Sequence, residues 1–354
     1  MDESTVTETH RIDLPRIVLI GEDVLDSLGS ICQELGFRSA LLVTGHTTFE
    51  IAGKRSMENL RSSGVKVEEV FVGSAKLEYV SNIRERVERH GHEVLIGVGG
   101  GSVIDTVKIG STRAKKPFMS VPTTASHDGI ASSVASLKSL HRPYSVKTQS
   151  PIAVIADSKI VRHSPYRFTA SGCGDILSKH VSVQDWRLAH EVKNEYYGAY
   201  AASLALMSAN LVMEQAENIK ECTEEGIRTL LEALVSSGVA MSIAGSSRPC
   251  SGSEHLFSHA LDLIAPKPAL HGEQCGVGTI MMAHLHGLDW EKVVNTLKIL
   301  GGPTTARELN IPEEYLIEAL VKAQSIRPER YTILNEVNLT HSKAKALAEY
   351  CKVV

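Results

Sequence analysis

The segment VLIGVGGGSVID, residues 94–105, contains the pattern that decides the fold. Its apolar residues predict a buried strand, three consecutive glycines follow, and Ser102 opens a helical pattern. Glycines have no Cβ atom, so their backbone N–H groups can approach an anion closely, and the positive end of the helix dipole favours negative charge at the same place. The segment therefore predicts a strand–turn–helix unit that binds the phosphate groups of a nucleotide.

The glycine turn matches neither of two common nucleotide motifs. Gly97 and Gly99 fit the dinucleotide-binding pattern GxGxxG, but Ser102 stands at the position of the third glycine. No Asp or Glu lies between Thr106 and His127, where that motif expects an acidic residue for the ribose. A Walker A loop is also excluded, because no GK[ST] follows the glycines. On the turn alone, a tight βα turn without a ligand remains the alternative.

Apolar runs and helical patterns alternate through the first half of the chain. This alternation predicts a mostly parallel sheet with helices on both faces. The predicted strands cover residues 17–20, 40–43, 67–72, 94–98, 118–121 and 152–155, and the predicted helices between them cover residues 23–35, 47–62, 77–90 and 102–114. The segment 132–147, which contains Pro143, predicts a β-hairpin.

The pattern changes after about residue 165, where strand-like runs disappear. Helical periodicity covers residues 167–190, 196–219, 224–244, 253–264 and 275–286. We therefore predict an α/β N-terminal nucleotide-binding domain with a mostly parallel sheet, residues 1–164, and an all-helical C-terminal domain, residues 165–354. The cleft between two such domains is where ligands commonly bind.

The composition is that of an ordinary soluble globular protein. The chain has 354 residues, of which 43% are hydrophobic and 22% charged. A net charge of −4 gives no general attraction to nucleic acid or to an anionic membrane. The first residues are polar and acidic and lack the apolar region of a signal peptide, no run of 18 apolar residues occurs, and the six cysteines include no CxxC pair. We expect a cytoplasmic protein with reduced thiols that neither binds nucleic acid nor inserts into a membrane.

The segment VPTTASHDGIASS, residues 121–133, follows the next predicted strand. Because the carboxyl ends of neighbouring parallel strands meet at one edge of a sheet, we expect this segment to lie beside the glycine turn. Its hydroxyl groups can contact ribose or phosphate, and His127 and Asp128 add further polar groups. Two polar loops at adjacent strand ends favour a ligand site over the alternative, a polar loop without a role.

Acidic and imidazole side chains in the helical half are candidates for a metal site. Asp175 is expected to enter a helix with His180 about one turn later, and His271 lies just ahead of another predicted helix. His255 and His259 have an i, i+4 spacing and therefore share one helix face. One carboxylate and two imidazoles are a common catalytic zinc set that leaves a position for substrate. Packed or surface histidines are the alternative, because the chain has 15 histidines and this spacing is less specific than HExxH.

Taken together, the segments GVGGGSVIDTVK, SVPTTASHDGIAS, SGCGD, GSEHLFSHALD and LHGEQCGVG resemble the glycerol-1-phosphate dehydrogenase family, in the right order and over most of the chain. That family belongs to the dehydroquinate synthase-like, or iron-dependent alcohol dehydrogenase-like, superfamily. The resemblance implies the same two-part fold, Zn2+ and NAD(P) as cofactors, and a homo-oligomer. It also implies the reduction of dihydroxyacetone phosphate to sn-glycerol 1-phosphate, a precursor of archaeal membrane phospholipids.

The resemblance assigns site residues as well. It places the dinucleotide at Gly101, Ser102, Val103, Ile104, Asp105, Thr123, Thr124, Ala125, Ser126 and Ser132. It places the metal at Asp175, His255 and His271, and the substrate at Asp128, Asp175 and His259. Of these, Asp128 and His259 are the predicted catalytic residues, and His259 is the predicted proton donor. Ser133 departs from the proline of the family pattern, without removing a functional group.

The reaction implied by the resemblance is a hydride transfer. Zn2+ would polarise the ketone oxygen as a Lewis acid, and the nicotinamide would supply the hydride. The second predicted strand runs into VTGHTT, residues 43–48, which has no carboxylate to repel a 2′-phosphate. We therefore expect the protein to use both NADH and NADPH. The alternatives are a zinc-dependent glycerol dehydrogenase, a dehydroquinate synthase-like lyase and a binding protein without catalytic activity.

Overall fold

A computed structural model describes residues 12–73, 76–138 and 143–354, so the acidic N-terminal segment and the turn of the predicted hairpin lie outside the described residues. The strands of the described chain form a six-stranded sheet and a two-stranded sheet. They are β1 Ile17–Gly21, β2 Ser39–Thr44, β3 Lys66–Phe71, β4 Val94–Gly99, β5 Phe118–Pro122, β6 Val134–Lys138, β7 Pro143–Lys147 and β8 Ala153–Asp157.

The larger sheet is parallel throughout, with the strand order β1-β8-β5-β4-β2-β3. All six predicted strands are confirmed. Every residue of β4 is buried, because the strand lies inside the sheet and is covered on both faces. Gly99 at the end of β4 pairs with Pro122 at the end of β5, so the two polar segments leave the sheet at the same edge.

The predicted hairpin is also present. β6 and β7 pair antiparallel, with Val134 opposite Lys147 and Ala135 opposite Val146. Ala135 is buried against Val80 of the α/β region. The hairpin therefore packs on the side of the main sheet rather than extending it.

Helices connect the strands and make up the remainder of the described chain. In the α/β region they are α1 Leu28–Glu34, α2 His46–Thr48, α3 Lys54–Ser62, α4 Leu77–His90, α5 Gly101–Ala114 and α6 Ser158–Arg162, with 3-10 turns at Val24–Ser27 and Asp128–Ile130 and a π turn at Phe49–Gly53. The later helices are α7 Tyr166–Leu177, α8 Lys179–Lys193, α9 Ala199–Glu214, α10 Ala216–Lys220, α11 Glu224–Ala244, α12 Ser253–Ile264, α13 His271–Leu285, α14 Trp290–Ile299, α15 Ala306–Leu309, α16 Glu313–Ile326, α17 Ile333–Val337 and α18 His341–Tyr350. Strands in the described residues all precede residue 158; the division at residues 164 and 165 stays a prediction.

Three predicted helix bounds are wrong, and two of them bear on the site. The helix predicted over residues 167–190 is two helices, because the Ser178 hydroxyl donates to the Asp175 carbonyl at 2.6 Å and a new helix starts after it. Asp175 therefore lies near the end of a helix, not at its start. The helix predicted from residue 275 begins at His271, where the Leu270 N–H is 3.0 Å from the Glu273 carboxylate. The helix predicted over residues 196–219 is likewise divided, into α9 and α10.

Apolar side chains form separate cores on the two faces of the sheet and a larger core among the helices. Leu42 and Ile96 are buried on one face, and Leu41 and Leu95 on the other. In the helical core, α11 is long and apolar enough by composition to cross a membrane, but 67% of its most apolar stretch is buried inside the protein. In this structure α11 is thus a core helix.

Candidate active site

The glycine turn and the segment after β5 are in close contact. α5 begins at Gly101, after Gly100 in an extended conformation. A Cβ atom on Gly101 would lie 2.0 Å from Nε2 of His127, and a Cβ on Gly100 would lie 3.2 Å from Oγ1 of Thr124. Only a residue without a side chain leaves room for His127 at this place. The two polar segments are therefore neighbours, as the sequence predicts.

A cavity of about 670 Å³ opens beside the glycine turn, within the size range of small-molecule sites. Its lining contains six of the predicted cofactor residues, namely Gly101, Ser102, Val103, Thr123, Thr124 and Ser126. Ile104 and Ala125 are fully buried and do not line the cavity. The cavity thus follows the first turn of α5 and the start of the segment after β5.

Asp105 and Ser132 contact Lys108, a buried residue of α5 that sequence analysis missed. The Lys108 ammonium donates to the Ser132 hydroxyl (3.2 Å) and the Val134 carbonyl (2.7 Å), and it lies 3.6 Å from the Asp105 carboxylate. Asp105 also accepts the backbone N–H of Ser136 at 3.2 Å. These contacts fix the hairpin on α5, and neither Asp105 nor Ser132 lines the cavity.

The cavity wall beyond β2 is polar and partly cationic. It contains Thr47, Thr48 and Arg55, and Lys159 and His163 line the same cavity from α6 and its end. Arg55 Nε is 2.7 Å from Asp26, and Lys159 Nζ is 2.9 Å from Asp23, so both cations have partners outside the cavity. The described lining contains no Asp or Glu to repel a 2′-phosphate.

Asp175 and Lys179 are fully buried, one turn apart at the junction of α7 and α8. Lys179 Nζ lies 2.8 Å from Asp175 Oδ1 and 2.9 Å from Asp128 Oδ2. Burial opposes the charge of Lys179, but the two carboxylates outweigh it and raise the lysine pKa well above its ordinary value. The Asp128 N–H donates to Asp175 Oδ2 at 2.8 Å. The segment that lines the cavity at Thr123 therefore ends in a hydrogen bond to Asp175.

The predicted metal ligands converge in the helical region. His255, His271 and Cys275 each offer a ligand atom, and these atoms lie within 4.8 Å of one another. His255 Nε2 is 3.6 Å from Asp175 Oδ1, and the two imidazole ring centres are 4.9 Å apart. Burial lowers the pKa of both imidazoles, that of His271 to about 4, so both are neutral near pH 7. The structure thus brings Asp175, His255 and His271 together and adds a thiol that sequence analysis missed.

This donor set fits a divalent transition metal such as Zn2+. Neutral imidazoles, a carboxylate and a thiol are the side chains that zinc prefers. Asp175 accepts hydrogen bonds from Lys179 and Asp128, and hydrogen bonds of this kind orient a ligating carboxylate. His180, the other sequence candidate, does not belong to the converging group, and burial lowers its pKa to about 4.

Glu254 sets the orientation of His255, and sequence analysis did not identify it. Its carboxylate is 2.7 Å from His255 Nδ1, which leaves Nε2 to face Asp175. The Gly252 N–H holds the same carboxylate at 2.8 Å. Burial, with the charge of Asp185, raises the Glu254 pKa to about 8, and a cation bound at His255 would oppose that shift. A carboxylate behind a ligating imidazole is a common feature of metal sites.

We expect Glu254→Gln to weaken metal binding by about 10–100-fold, because an amide accepts the imidazole N–H more weakly than a carboxylate does. Competition with a chelator of known affinity measures the change. Glu318→Gln, on the exposed face of α16, is the matched control and should bind metal as the wild type does. Equal affinity of all three proteins would show that Glu254 has no part in metal binding.

His259 lies one turn after His255 on α12, as predicted. Its ring stacks on His271 with centres 5.8 Å apart, and its Nδ1 is 3.8 Å from Asp262. Its side chain is 16% exposed, whereas that of Asp175 is fully buried. His259 is therefore a partly accessible imidazole beside the candidate ligands, as a proton-transfer group requires.

The α/β region, which contains the parallel sheet and the glycine turn, matches a known family of dehydrogenases. Residues 19–165 match the family described as iron-containing alcohol dehydrogenase. A Methanosarcina barkeri protein named glycerol-1-phosphate dehydrogenase (NAD(P)+) is 54% identical over 97% of this chain and 96% of its own length. A Methanothermobacter thermautotrophicus protein of the same name is 49% identical over 98% of this chain and 100% of its own length. The chain belongs to the glycerol-1-phosphate dehydrogenase family.

Solved structures confirm the fold. A probable glycerol dehydrogenase from Sinorhizobium meliloti superposes with a TM-score of 0.79 at 20% identity, covering 98% of this chain and 99% of that one. Glycerol dehydrogenase from Schizosaccharomyces pombe gives 0.82 at 19% identity, covering 97% and 91%. Sulfoacetaldehyde reductase from Bifidobacterium kashiwanohense, solved in complex with NAD+, gives 0.76 at 19% identity, covering 97% and 98%. The predicted combination of a parallel α/β region and a helical region is therefore correct.

Proposed function

We propose that the protein reduces dihydroxyacetone phosphate to sn-glycerol 1-phosphate, with NADH or NADPH as hydride donor and Zn2+ as the metal. The observation that carries the proposal is the path of residues 123–128. This segment lines the cavity at Thr123 and Thr124 and donates a hydrogen bond to Asp175 from Asp128. A nucleotide in the cavity and a substrate at the metal ligands would thus meet at one place. The names of the archaeal relatives support the substrate and the dinucleotide.

The side chains divide the chemistry between them. A metal held by Asp175, His255 and His271 would supply a Lewis acid for the ketone, worth several kcal/mol of transition-state stabilisation. The first turn of α5 and the segment after β5 would hold the dinucleotide so that the nicotinamide faces the substrate carbon. Lys179 balances the charge of the Asp128 and Asp175 carboxylates, and Asp128, whose side chain is 14% exposed, would accept a substrate hydroxyl.

His259 is the proposed proton donor to the new hydroxyl group. We expect His259→Ala to lower kcat by about 10²–10⁴-fold and to remove a limb of its pH profile, because general acid catalysis contributes that much. Steady-state kinetics across pH measure both effects. His284→Ala, a half-buried histidine in the last turn of α13, is the control. Near-normal turnover and an unchanged pH profile in His259→Ala would assign the proton transfer to another group.

Both nicotinamide cofactors should serve, because the described cavity wall beyond β2 has no carboxylate. We expect kcat/KM for NADH and NADPH to differ by less than about a hundredfold, or about 2.7 kcal/mol. Initial rates with each cofactor at saturating dihydroxyacetone phosphate give the ratio. A larger preference for NADH would mean that this wall does exclude the 2′-phosphate.

The setting of the reaction forms part of the proposal. The product would enter archaeal membrane phospholipids, and the protein would be a cytoplasmic homo-oligomer that neither binds nucleic acid nor inserts into a membrane. Tyr200, Met207 and Leu211 are exposed along one side of α9, and an apolar face of this kind supports packing between subunits.

The decisive assay compares two substrates. We expect rapid oxidation of NAD(P)H with dihydroxyacetone phosphate, little with dihydroxyacetone, and loss of the activity on chelation with recovery on adding Zn2+. Equal or higher activity on unphosphorylated dihydroxyacetone would favour a glycerol dehydrogenase, the activity named for two of the structural neighbours. One cofactor oxidised per substrate consumed would exclude a lyase that uses NAD only transiently.

A further inference from the structure

We propose that Cys275 is a further ligand of the metal, supplying a thiolate beside Asp175, His255 and His271. The inference deepens the proposed metal site and rests on it. It does not depend on which ketone the protein reduces. On metal binding, the thiol proton would pass to solvent and the sulfur lone pair would form the metal–sulfur bond, with no change of oxidation state.

The position of Cys275 follows from the start of α13. His271 is the first residue of that helix, and Cys275 lies four residues later, so both side chains project from the same face. Cys275 is fully buried, and its Sγ is 3.6 Å from His271 Nε2. The His271 imidazole and the Cys275 thiol therefore lie side by side on α13, on the side that faces Asp175 of α7 and His255 of α12.

The separation of Cys275 Sγ and His271 Nε2 is that expected for two ligand atoms of one tetrahedral zinc ion. Zinc binds sulfur at about 2.3 Å and imidazole nitrogen at about 2.0–2.1 Å, so two such atoms on one tetrahedral ion lie about 3.6 Å apart. Cys275 Sγ and His271 Nε2 have this separation, 3.6 Å. His255, only 6% exposed, completes the group, and its Nε2 faces Asp175 at 3.6 Å. The approach of the His255 imidazole to both Asp175 and His271 is an observation independent of the thiol, and it points to the same ligand.

Cys250 is another buried thiol near this site, and its sulfur has a different partner. Cys250 lies beside Lys179, which donates to its carbonyl at 3.3 Å. The Cys250 Sγ lies 3.4 Å from the carbonyl of Ser237, away from the imidazoles. Cys250 therefore provides a matched control. It is a buried cysteine beside Lys179, but its sulfur does not belong to the group of candidate ligands.

A thiolate in this position has a chemical consequence. Thiolate is a soft ligand, and its presence favours Zn2+ over hard cations such as Mg2+ and Mn2+. With Asp175, His255 and His271 it would complete four protein ligands in the substrate-free protein. Substrate would then require either a fifth position, which zinc sites allow, or release of one protein ligand.

The test uses Co2+ as a spectroscopic probe in place of the resident metal. We expect Co2+ added to chelator-treated wild-type protein to give visible d–d bands and a near-ultraviolet sulfur-to-cobalt charge-transfer band. Cys275→Ser should keep the d–d bands and lose the charge-transfer band, with at least about tenfold weaker metal binding. Cys250→Ser should keep both bands.

The outcomes separate the two proposals. Visible bands without a charge-transfer band in the wild type would overturn the role of Cys275 while leaving the metal site intact. Failure of the wild type to bind Co2+ or Zn2+ at all would overturn the metal site and the inference together. If Cys275→Ser does not fold, X-ray absorption of the zinc-loaded native protein decides the matter: ligation predicts a zinc–sulfur distance of about 2.3 Å, and a shell of nitrogen and oxygen alone contradicts it.

Discussion

Replacing His255 by alanine is expected to remove the bound metal and to lower turnover of dihydroxyacetone phosphate by at least about a thousandfold. His255 lies next to both Asp175 and His271 and is oriented by Glu254, so its loss removes a donor that contacts the rest of the set. Without the metal, negative charge on the substrate oxygen would develop in a buried site with little compensation. Metal content after dialysis and steady-state turnover measure the two effects.

His284→Ala is again the matched control and should keep full metal content and near-normal turnover. The cavity beside the glycine turn is separate from the ligands, so His255→Ala should still bind NADPH with near wild-type affinity. Turnover within tenfold of wild type after loss of the metal would show that the reaction does not use the metal.

Replacing Lys179 by methionine is expected to lower the free energy of unfolding of the metal-free protein by about 3–5 kcal/mol. Lys179 is fully buried and pairs with both Asp128 and Asp175, so its removal leaves two buried carboxylates without their cation. Bound Zn2+ would restore positive charge beside Asp175. The loss should therefore be smaller in the zinc-loaded protein than in the chelated one, as measured by urea unfolding in the two conditions.

Lys322→Met provides the control for this experiment. Lys322 forms an exposed ion pair with Glu318, and such pairs contribute about 0–1 kcal/mol. An effect of Lys179→Met as small as that of Lys322→Met would mean that the buried carboxylates are protonated, or paired in another way. An equal loss with and without Zn2+ would argue against a metal at Asp175.

The fold was largely predictable because its signals are local. Most strands of the parallel sheet are short apolar runs, and the glycine turn after β4 marks the edge at which the cavity opens. The errors occurred where local periodicity continues across a break. Residues 167–190 have helical periodicity throughout. The helix is nevertheless divided at Ser178, whose hydroxyl donates to the Asp175 carbonyl between α7 and α8.

The candidate site was predictable only in part. Asp175, His255 and His271 were found through a family resemblance, since their approach to one another depends on how three helices pack. Lys179 and Cys275 were missed, although each follows a predicted ligand by four residues, Cys275 within α13 and Lys179 across the junction of α7 and α8. That spacing is a usable signal, because residues four apart on a helix share a face.

The residues that orient the candidate ligands could not be predicted from the sequence. Glu254 precedes His255 by a single residue, and neighbours in sequence on a helix do not normally face each other. Their contact arises because the Gly252 N–H holds the Glu254 carboxylate at the start of α12. Asp105 and Ser132 show the opposite case: both carry polar groups at the right place in the sequence, but they bind Lys108 and the hairpin and do not line the cavity.

The central claim is that the nicotinamide transfers hydride to a substrate held at the metal ligands, and the transfer of deuterium from cofactor to product tests it most directly. The protein would be incubated with dihydroxyacetone phosphate and NADPH deuterated at C4 of the nicotinamide, with and without a chelator. We predict one deuterium at C2 of glycerol phosphate, the sn-1 configuration in the product, and no transfer after the metal is removed. Transfer that persists without metal, or transfer to dihydroxyacetone but not to its phosphate, would contradict the account.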